Sequence, residues 1–112
     1  MNYERELLKG STDTLLLSLI TQKPIYGYQI IKEMEKKSNG YFQFKEGTLY
    51  PALHRLEKAG YIKGQWQRLA NGQERRYYYI QEKGIRALED RLETWRNFSM
   101  AVNMVMHPAI SI

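Results

Sequence analysis

The sequence predicts an α+β chain that is mainly α-helical, because three short helical patterns precede a β-hairpin pattern and one long helical pattern follows it. Three helices followed by a two-stranded wing form the winged helix-turn-helix arrangement. The long last helix adds an apolar seam that a chain of 112 residues is too small to bury alone. The predicted fold is therefore a winged helix-turn-helix with a long C-terminal dimerisation helix.

The first two helices are predicted from apolar residues at helical spacing. Ser11 or Thr12 can cap the first, and Lys23-Pro24 is expected to end it. The second lies within YGYQIIKEMEKKSNG at residues 26–40, where Asn39-Gly40 supplies the left-handed residue that closes a helix. Two short helices with a tight connection are the result.

The third helix contains the stretch EGTLYPALHRL at residues 46–56, in which a proline interrupts a helical pattern. Proline inside a helix costs about 3 kcal/mol, because it removes a donor and its ring clashes with the preceding turn. If Thr48 is the N-cap, Pro51 falls in the first turn, where backbone N–H groups have no intrahelical acceptor, so the missing N–H of proline costs no hydrogen bond. We therefore expect a helix from Thr48 to about Ala59, stopped by Gly60.

The pattern then changes to that of a β-hairpin. The segments YIKGQWQRL and ERRYYYI are rich in aromatic and β-branched residues, and Asn71-Gly72 between them is a strong turn signal. Tyr77, Tyr78 and Tyr79 cannot all point to one side of a strand, because side chains alternate. At least one tyrosine of the three is expected in the core.

A last helix is predicted from Gln81 to about Met106, with Pro108 ending it. Its apolar residues repeat with heptad spacing, broken only at Ser99. We expect this seam to pair with a second copy of the chain. The predicted dimer interface consists of Ile85, Leu88, Leu92, Trp95, Val102 and Met106.

The positive charge is concentrated in one region. The net charge is +5, and residues 45–76 hold seven Lys or Arg against three Asp or Glu. Clustered positive charge favours a polyanion such as double-stranded DNA, although a solvated basic surface is the simpler alternative. Residues 1–80 are accordingly predicted to form a DNA-binding domain, and residues 81–112 the dimerisation helix and tail of the same compact unit.

The candidate DNA contacts follow from the faces of the third helix and from the wing. Leu49, Leu53 and Leu56 share one face and belong to the core. The residues on the opposite side of the helix can bind phosphates or base edges, and the sequence does not distinguish between these two kinds of contact. A capped core helix with a solvated face is the alternative. The candidates are Thr48, Tyr50, Pro51, His54, Arg55 and Lys58 on the helix, and Arg68, Arg75 and Arg76 on the wing.

The composition argues against an enzyme or a metalloprotein. There is no cysteine, and only His54 and His107 are available as histidine ligands or bases. We expect no cofactor and no metal. The absence of cysteine suits a reducing cytosol, and the longest apolar run is too short to span a bilayer. A cytoplasmic location is therefore expected.

The chain resembles the PadR family of bacterial transcriptional regulators, especially its short members with a single C-terminal helix. The motifs are YGYQI at 26–30, GTLYPALHRLEKAGYI at 47–62 and RRYYYI at 75–80 followed by Gly84. The resemblance implies a dimeric repressor on a palindromic operator, with the helix at GTLYP as recognition helix. Many members release DNA when a phenolic or drug-like compound binds. Ile80-Gln81 replaces the Leu-Thr that often precedes the last helix, and is a poorer N-cap.

The same resemblance suggests an effector site. In some short members a tryptophan of the C-terminal helix faces its symmetry mate across a pore and stacks on planar aromatic effectors. Trp95 matches that tryptophan, and Asp13 and Ser99 are candidates for the pore lining. Interface packing is the alternative role for Trp95. A winged helix used only for protein contacts is the alternative for the whole chain.

Overall fold

The computed structural model describes residues 2–110, with side chains to residue 107, and its element order confirms the predicted fold class. Residues 111–112, the last two of the predicted tail, lie outside the described residues. Within residues 2–110 seven elements follow one another: α1 (Tyr3–Gln22), β1 (Ile25–Tyr26), α2 (Gly27–Lys37), α3 (Glu46–Lys58), β2 (Ile62–Arg68), β3 (Glu74–Ile80) and α4 (Glu82–Ile110).

The strands form one antiparallel sheet in the order β1-β3-β2. β2 and β3 are the predicted hairpin, in register from Ile62 opposite Ile80 to Arg68 opposite Glu74. The turn at 69–73 places Gly72 at a φ of +87°, as its sequence predicts. β1 was not predicted, because its two residues are too few to show a period.

The first helix starts earlier than its sequence suggests. Asn2 is its N-cap, and the prediction of a cap at Ser11 or Thr12 is wrong. These two hydroxyls donate instead to backbone carbonyls one turn earlier, at 3.0 and 2.8 Å. Serine and threonine hydroxyls can form this hydrogen bond inside a helix, so their presence in a sequence does not by itself mark the start of a helix. The helix ends at Gln22, just before the predicted Lys23-Pro24 stop.

The third helix also starts earlier, at Glu46, with Lys45 as its N-cap. The Thr48 amide donates to the Lys45 carbonyl at 3.0 Å, so Thr48 is not the cap and that prediction is wrong. Pro51 is consequently inside the helix, one turn beyond Gly47. The Gly47 carbonyl loses its usual donor four residues on, but both residues are exposed to water. The predicted stop is confirmed, since Gly60 has a φ of +82°.

The core lies between α1, α2, α3 and the inner face of the sheet. Its side chains come from every one of these elements, and α4 adds one residue near its start. This shared core fixes the direction of α3 relative to the other helices. The most completely buried side chains are Leu16, Leu17, Ile20, Ile25, Ile30, Leu49, Leu53, Leu56 and Ile62.

The last helix joins the core only through its first turns. Leu88 is 5% exposed, whereas Trp95 is 53% and Met104 68% exposed. The helix has 29 residues, so it is about 43 Å long at 1.5 Å per residue, and it continues through position 108. The prediction that Pro108 ends it is therefore wrong. The predicted boundary at Gln81 is confirmed, since its carbonyl accepts from the Ile85 amide at 3.0 Å.

Gly84 allows the start of α4 to approach the end of α3. A Cβ at this position would lie 2.9 Å from the carbonyl carbon of Tyr61. We expect Gly84→Ala to lower the free energy of unfolding by about 1–3 kcal/mol, because backbone must move to make room. Thermal unfolding followed by circular dichroism measures this loss.

Gly10→Ala is the matched control, because a Cβ at that helical position meets nothing within 4 Å. It should leave the melting temperature unchanged or raise it, since alanine favours a helix by about 0.5–1 kcal/mol over glycine. Equal effects of the two substitutions would contradict a steric role for Gly84.

Candidate nucleic-acid interface

The exposed face of α3 is the centre of the candidate site. At 3.6 residues per turn, four exposed positions lie opposite the buried leucines, and Arg55 and Thr48 lie beside them on the α1 side. Tyr50 lies on the other side, toward α2. The four residues opposite the leucines are Gly47, Pro51, His54 and Lys58. Of these, Gly47 was not predicted as a DNA contact, although its helical position places it on the same face.

Tyr50 is positioned by a glycine of the preceding helix. A Cβ on Gly27, the first residue of α2, would lie 2.8 Å from the ring carbon that carries the Tyr50 hydroxyl. The ring therefore packs directly on the start of α2 while the residue stays 45% exposed. Its edge remains available to a ligand on the α3 face.

The three wing arginines lie in different surroundings, and the structure does not bring them into one cluster. Arg68 pairs with Glu74 at 3.4 Å in an exposed ion pair. Arg75 lies with its guanidinium 4.3 Å from the ring centroid of Tyr26. Arg76 is on the opposite face of the strand and points toward α3.

Arg76 and Glu57 connect the wing to the third helix. Arg76 Nη2 donates to Glu57 Oε2 at 2.7 Å, and the amide of Gly64 donates to the same oxygen at 3.1 Å. A Cβ on Gly64 would lie 2.6 Å from the guanidinium carbon, so this glycine makes room for the ion pair. Through Glu57, α3 is therefore bonded to both strands of the wing, to Gly64 of β2 and to Arg76 of β3. The sequence offered no sign of it, because Glu57 and Arg76 are distant along the chain.

The tyrosines of β3 divide between the two faces as predicted. Tyr78 is 5% exposed, whereas Tyr77 and Tyr79 are half-buried on the other side. Burial raises the pKa of the Tyr78 hydroxyl, and the nearby Arg76 offsets this only in part. Tyr78 therefore stays neutral beside the ion pair that joins wing and helix.

Fewer of the basic residues in 45–76 are free of carboxylate partners than their number in the sequence suggests. Two of the three acidic residues in 45–76 pair with wing arginines, and Asp13 of α1 pairs with Arg55 at 3.2 Å. Within the described part of the chain, four basic residues of this region form no ion pair with a carboxylate. They are Lys45, Lys58, Lys63 and Arg75.

The three candidate effector residues make separate contacts within the described chain. Trp95 is half-exposed, with its ring centroid 6.4 Å from that of Phe98. The Ser99 hydroxyl donates to the Arg96 carbonyl of the same helix at 3.2 Å. Asp13 pairs with Arg55 and Arg91, and no hydrogen bond or ion pair within residues 2–107 joins it to Trp95 or Ser99.

Among the described residues, no three His, Cys, Asp or Glu side chains come close enough together to hold a metal ion. No helix within residues 2–110 combines the length and the apolar character needed to cross a bilayer.

Comparison with known proteins identifies the family. The sequence profile of the Transcriptional regulator PadR-like family matches residues 16–90, which run from α1 into α4. The chain belongs to the PadR-like family of transcriptional regulators. The predicted resemblance to PadR proteins is confirmed, and this is a family of DNA-binding regulators rather than of enzymes.

Solved PadR-like structures share the whole arrangement. A transcriptional regulator from Clostridium thermocellum is 35% identical with a TM-score of 0.81, over 88% of this chain and 96% of that one. A PadR-like regulator from Bacillus cereus is 32% identical with a TM-score of 0.80, over 90% and 96% of the two chains.

Bacillus subtilis PadR in complex with operator DNA has the same fold at greater distance. It is 22% identical with a TM-score of 0.66, over 72% of this chain and 46% of that one. These likenesses show a winged-helix fold, in which α3 is the third helix and β2–β3 the wing.

The Glu57–Arg76 contact can be tested in the DNA-free protein. We expect Glu57→Gln to increase hydrogen exchange at the Gly64 amide severalfold, because that amide loses a charged acceptor. The loss of stability should stay near 1 kcal/mol, since the pair is about 30% exposed. Amide exchange followed by NMR measures the first effect, and urea unfolding the second.

Glu82→Gln is the control, because it removes the same charge from the exposed pair with Arg86 at the start of α4. Its Gly64 amide should exchange as in the wild type. Unchanged Gly64 exchange in Glu57→Gln would show that this carboxylate does not hold the wing.

Proposed function

We propose that the protein is a homodimeric repressor that binds a palindromic DNA operator and is relieved by a small aromatic or drug-like effector. The observation that carries the DNA part is the exposed α3 face with Lys58 on it, together with three further cations outside the helix. Within the described chain none of the four has a carboxylate partner, the other three being Lys45, Lys63 and Arg75. The operator complex of Bacillus subtilis PadR supports the same use of the fold.

In this proposal α3 enters the major groove and the wing follows the adjacent backbone. His54 lies at the centre of the exposed face and faces base edges, while Lys58 neutralises a phosphate. Thr48, Tyr50, Pro51 and Arg55 complete the helix contacts. Arg68 and Arg75 contact DNA from the wing, whereas Arg76 acts by holding the wing against α3.

Dimerisation would cover the apolar surface of α4. Several large apolar residues of this helix are more than half exposed, including Trp95, Phe98 and Met104. Ile85 and Met106 of the predicted seam are also exposed, but Leu88 is used by the core of its own chain. The helix beginning at Glu82 would thus join two DNA-binding domains formed by residues 1–80. Two α3 helices about 34 Å apart then match two half-sites on one face of DNA.

The effector part of the proposal rests on the aromatic surface of α4. Trp95 and Phe98 present two neighbouring rings to the side that a second copy would cover. A planar aromatic compound can stack between the two Trp95 rings of a dimer. The alternative of simple interface packing predicts no ligand there.

Binding to DNA should weaken steeply with salt, because each half-site neutralises several phosphates. We expect gel-shift titrations on the promoter of its own gene to give log affinity falling linearly with log salt. Replacing Lys58 by alanine should flatten the slope by about one unit per subunit. Size-exclusion chromatography should show the same dimer for both proteins.

Arg86→Ala serves as the control for this experiment, since Arg86 lies on α4 and pairs with Glu82. Its salt slope should equal that of the wild type. Binding that is absent, or independent of salt, would favour the protein-interaction alternative.

Effector binding at Trp95 can be followed by tryptophan fluorescence. With 4-nitrophenol as a planar phenolic probe, we expect saturable quenching in the wild type and its loss in Trp95→Ala. Trp66→Phe should retain the quenching, because Trp66 lies on the wing strand β2. Equal quenching in Trp95→Ala and wild type would remove Trp95 from the site.

A further inference from the structure

Asp13 stands where three helices meet, and it contacts a charged residue on each of the other two. Its Oδ1 accepts from Arg55 Nη2 of α3 at 3.2 Å, and its Oδ2 lies 3.9 Å from Arg91 Nη1 of α4. One carboxylate is therefore shared by two guanidiniums. The two guanidiniums approach different oxygens, so both pairs exist at once, but they share one negative charge. A closer approach of either guanidinium therefore weakens the attraction of the carboxylate for the other.

The two contacts differ in strength and in freedom. The Arg55 contact is within hydrogen-bond distance, whereas the Arg91 contact is an ion pair at longer range. The Arg55 side chain is 60% exposed and can turn toward a phosphate. Arg91 is 37% exposed, and its guanidinium also lies 5.8 Å from the Tyr61 ring centroid, which keeps it near Asp13.

We propose that Asp13 is a positioning residue that couples the placement of α4 to the DNA contact made by Arg55. When Arg91 closes on the carboxylate, Asp13 holds Arg55 less strongly, and Arg55 turns more readily toward a DNA phosphate. When α4 moves Arg91 away, Asp13 retains Arg55 on the protein and lowers operator affinity. This inference rests on the proposed role of α3 in DNA binding and assigns its regulation.

The geometry gives α4 a direct route to the recognition helix. Arg91 is one turn before Trp95, so a ligand or partner that shifts this part of α4 also shifts the guanidinium at Asp13. The coupling needs only a change in the distance between Arg91 and Asp13, because the charge of Arg91 offsets the charge that holds Arg55. Asp13 is then a link between interface and DNA rather than a lining residue of a pore.

A double-mutant cycle tests the coupling. Four full-length proteins are compared: wild type, Asp13→Asn, Arg91→Gln and the double variant. The probe is a fluorescent duplex selected from a random pool by the wild type, and affinity is measured by anisotropy. We expect Arg91→Gln to weaken binding about threefold to tenfold, and Asp13→Asn to leave it unchanged or tighten it about twofold to fivefold.

The decisive comparison is the effect of Arg91→Gln in two backgrounds. In the Asp13→Asn background the effect of Arg91→Gln on affinity should fall below about twofold, because the shared carboxylate is missing. The same is expected in the Arg55→Gln background, because the second guanidinium of the pair is missing. Arg91→Lys should restore most of the affinity. A general loss of structure would not be rescued in this way, and thermal unfolding verifies that each variant is folded.

Arg86→Gln is the matched control, since it removes the same charge from the same helix without touching Asp13. It should change affinity less than twofold. Additive effects of Arg91→Gln and Asp13→Asn, or an equal loss in Arg86→Gln, would overturn the coupling. Failure of the wild type to select any duplex would instead overturn the proposed function, and the inference with it.

Discussion

The burial of the leucine face of α3 is the interaction on which the rest of the molecule depends. Leu49, Leu53 and Leu56 are each at most 1% exposed, and burying such a side chain contributes about 1.5–3 kcal/mol. The polar contacts of the same helix are half-exposed ion pairs worth about 1 kcal/mol or less. The core therefore sets which face of α3 is presented, and the ion pairs refine what surrounds it.

Three arginines near α3 and the wing have three different kinds of contact. Arg75 remains free of carboxylates among the described residues, Arg55 is shared with a neighbouring helix, and Arg76 holds the wing on Glu57. A guanidinium can fill each role because its planar donors suit carboxylates, phosphates and aromatic faces alike. Charge counts along the chain therefore overestimate the number of cations that DNA can use.

The helix α4 is buried against its own chain at one end and exposed at the other. Its first turns pack against α1 and against the segment that follows α3, where Gly84 allows close approach to the Tyr61 backbone. Its later turns expose aromatic and methionine side chains over much of their area. One end of α4 thus packs on the rest of the chain, while the other leaves a large apolar surface exposed. Arg91 lies between these two regions and contacts Asp13 of α1.

The amino-acid sequence alone determined the order of the four helices and the hairpin, the divided tyrosines of β3 and the apolar pattern of α4, because these follow from local periodicity and turn residues. It did not show β1, which has two residues. It misplaced the starts of α1 and α3, because internal serine and threonine hydroxyls imitate caps and because a proline can lie inside a helix when the freed carbonyl is exposed. Only the tertiary structure decided the partners of Asp13, Glu57 and Arg76. Those contacts join residues distant along the chain, and no local pattern encodes which arginine meets which carboxylate.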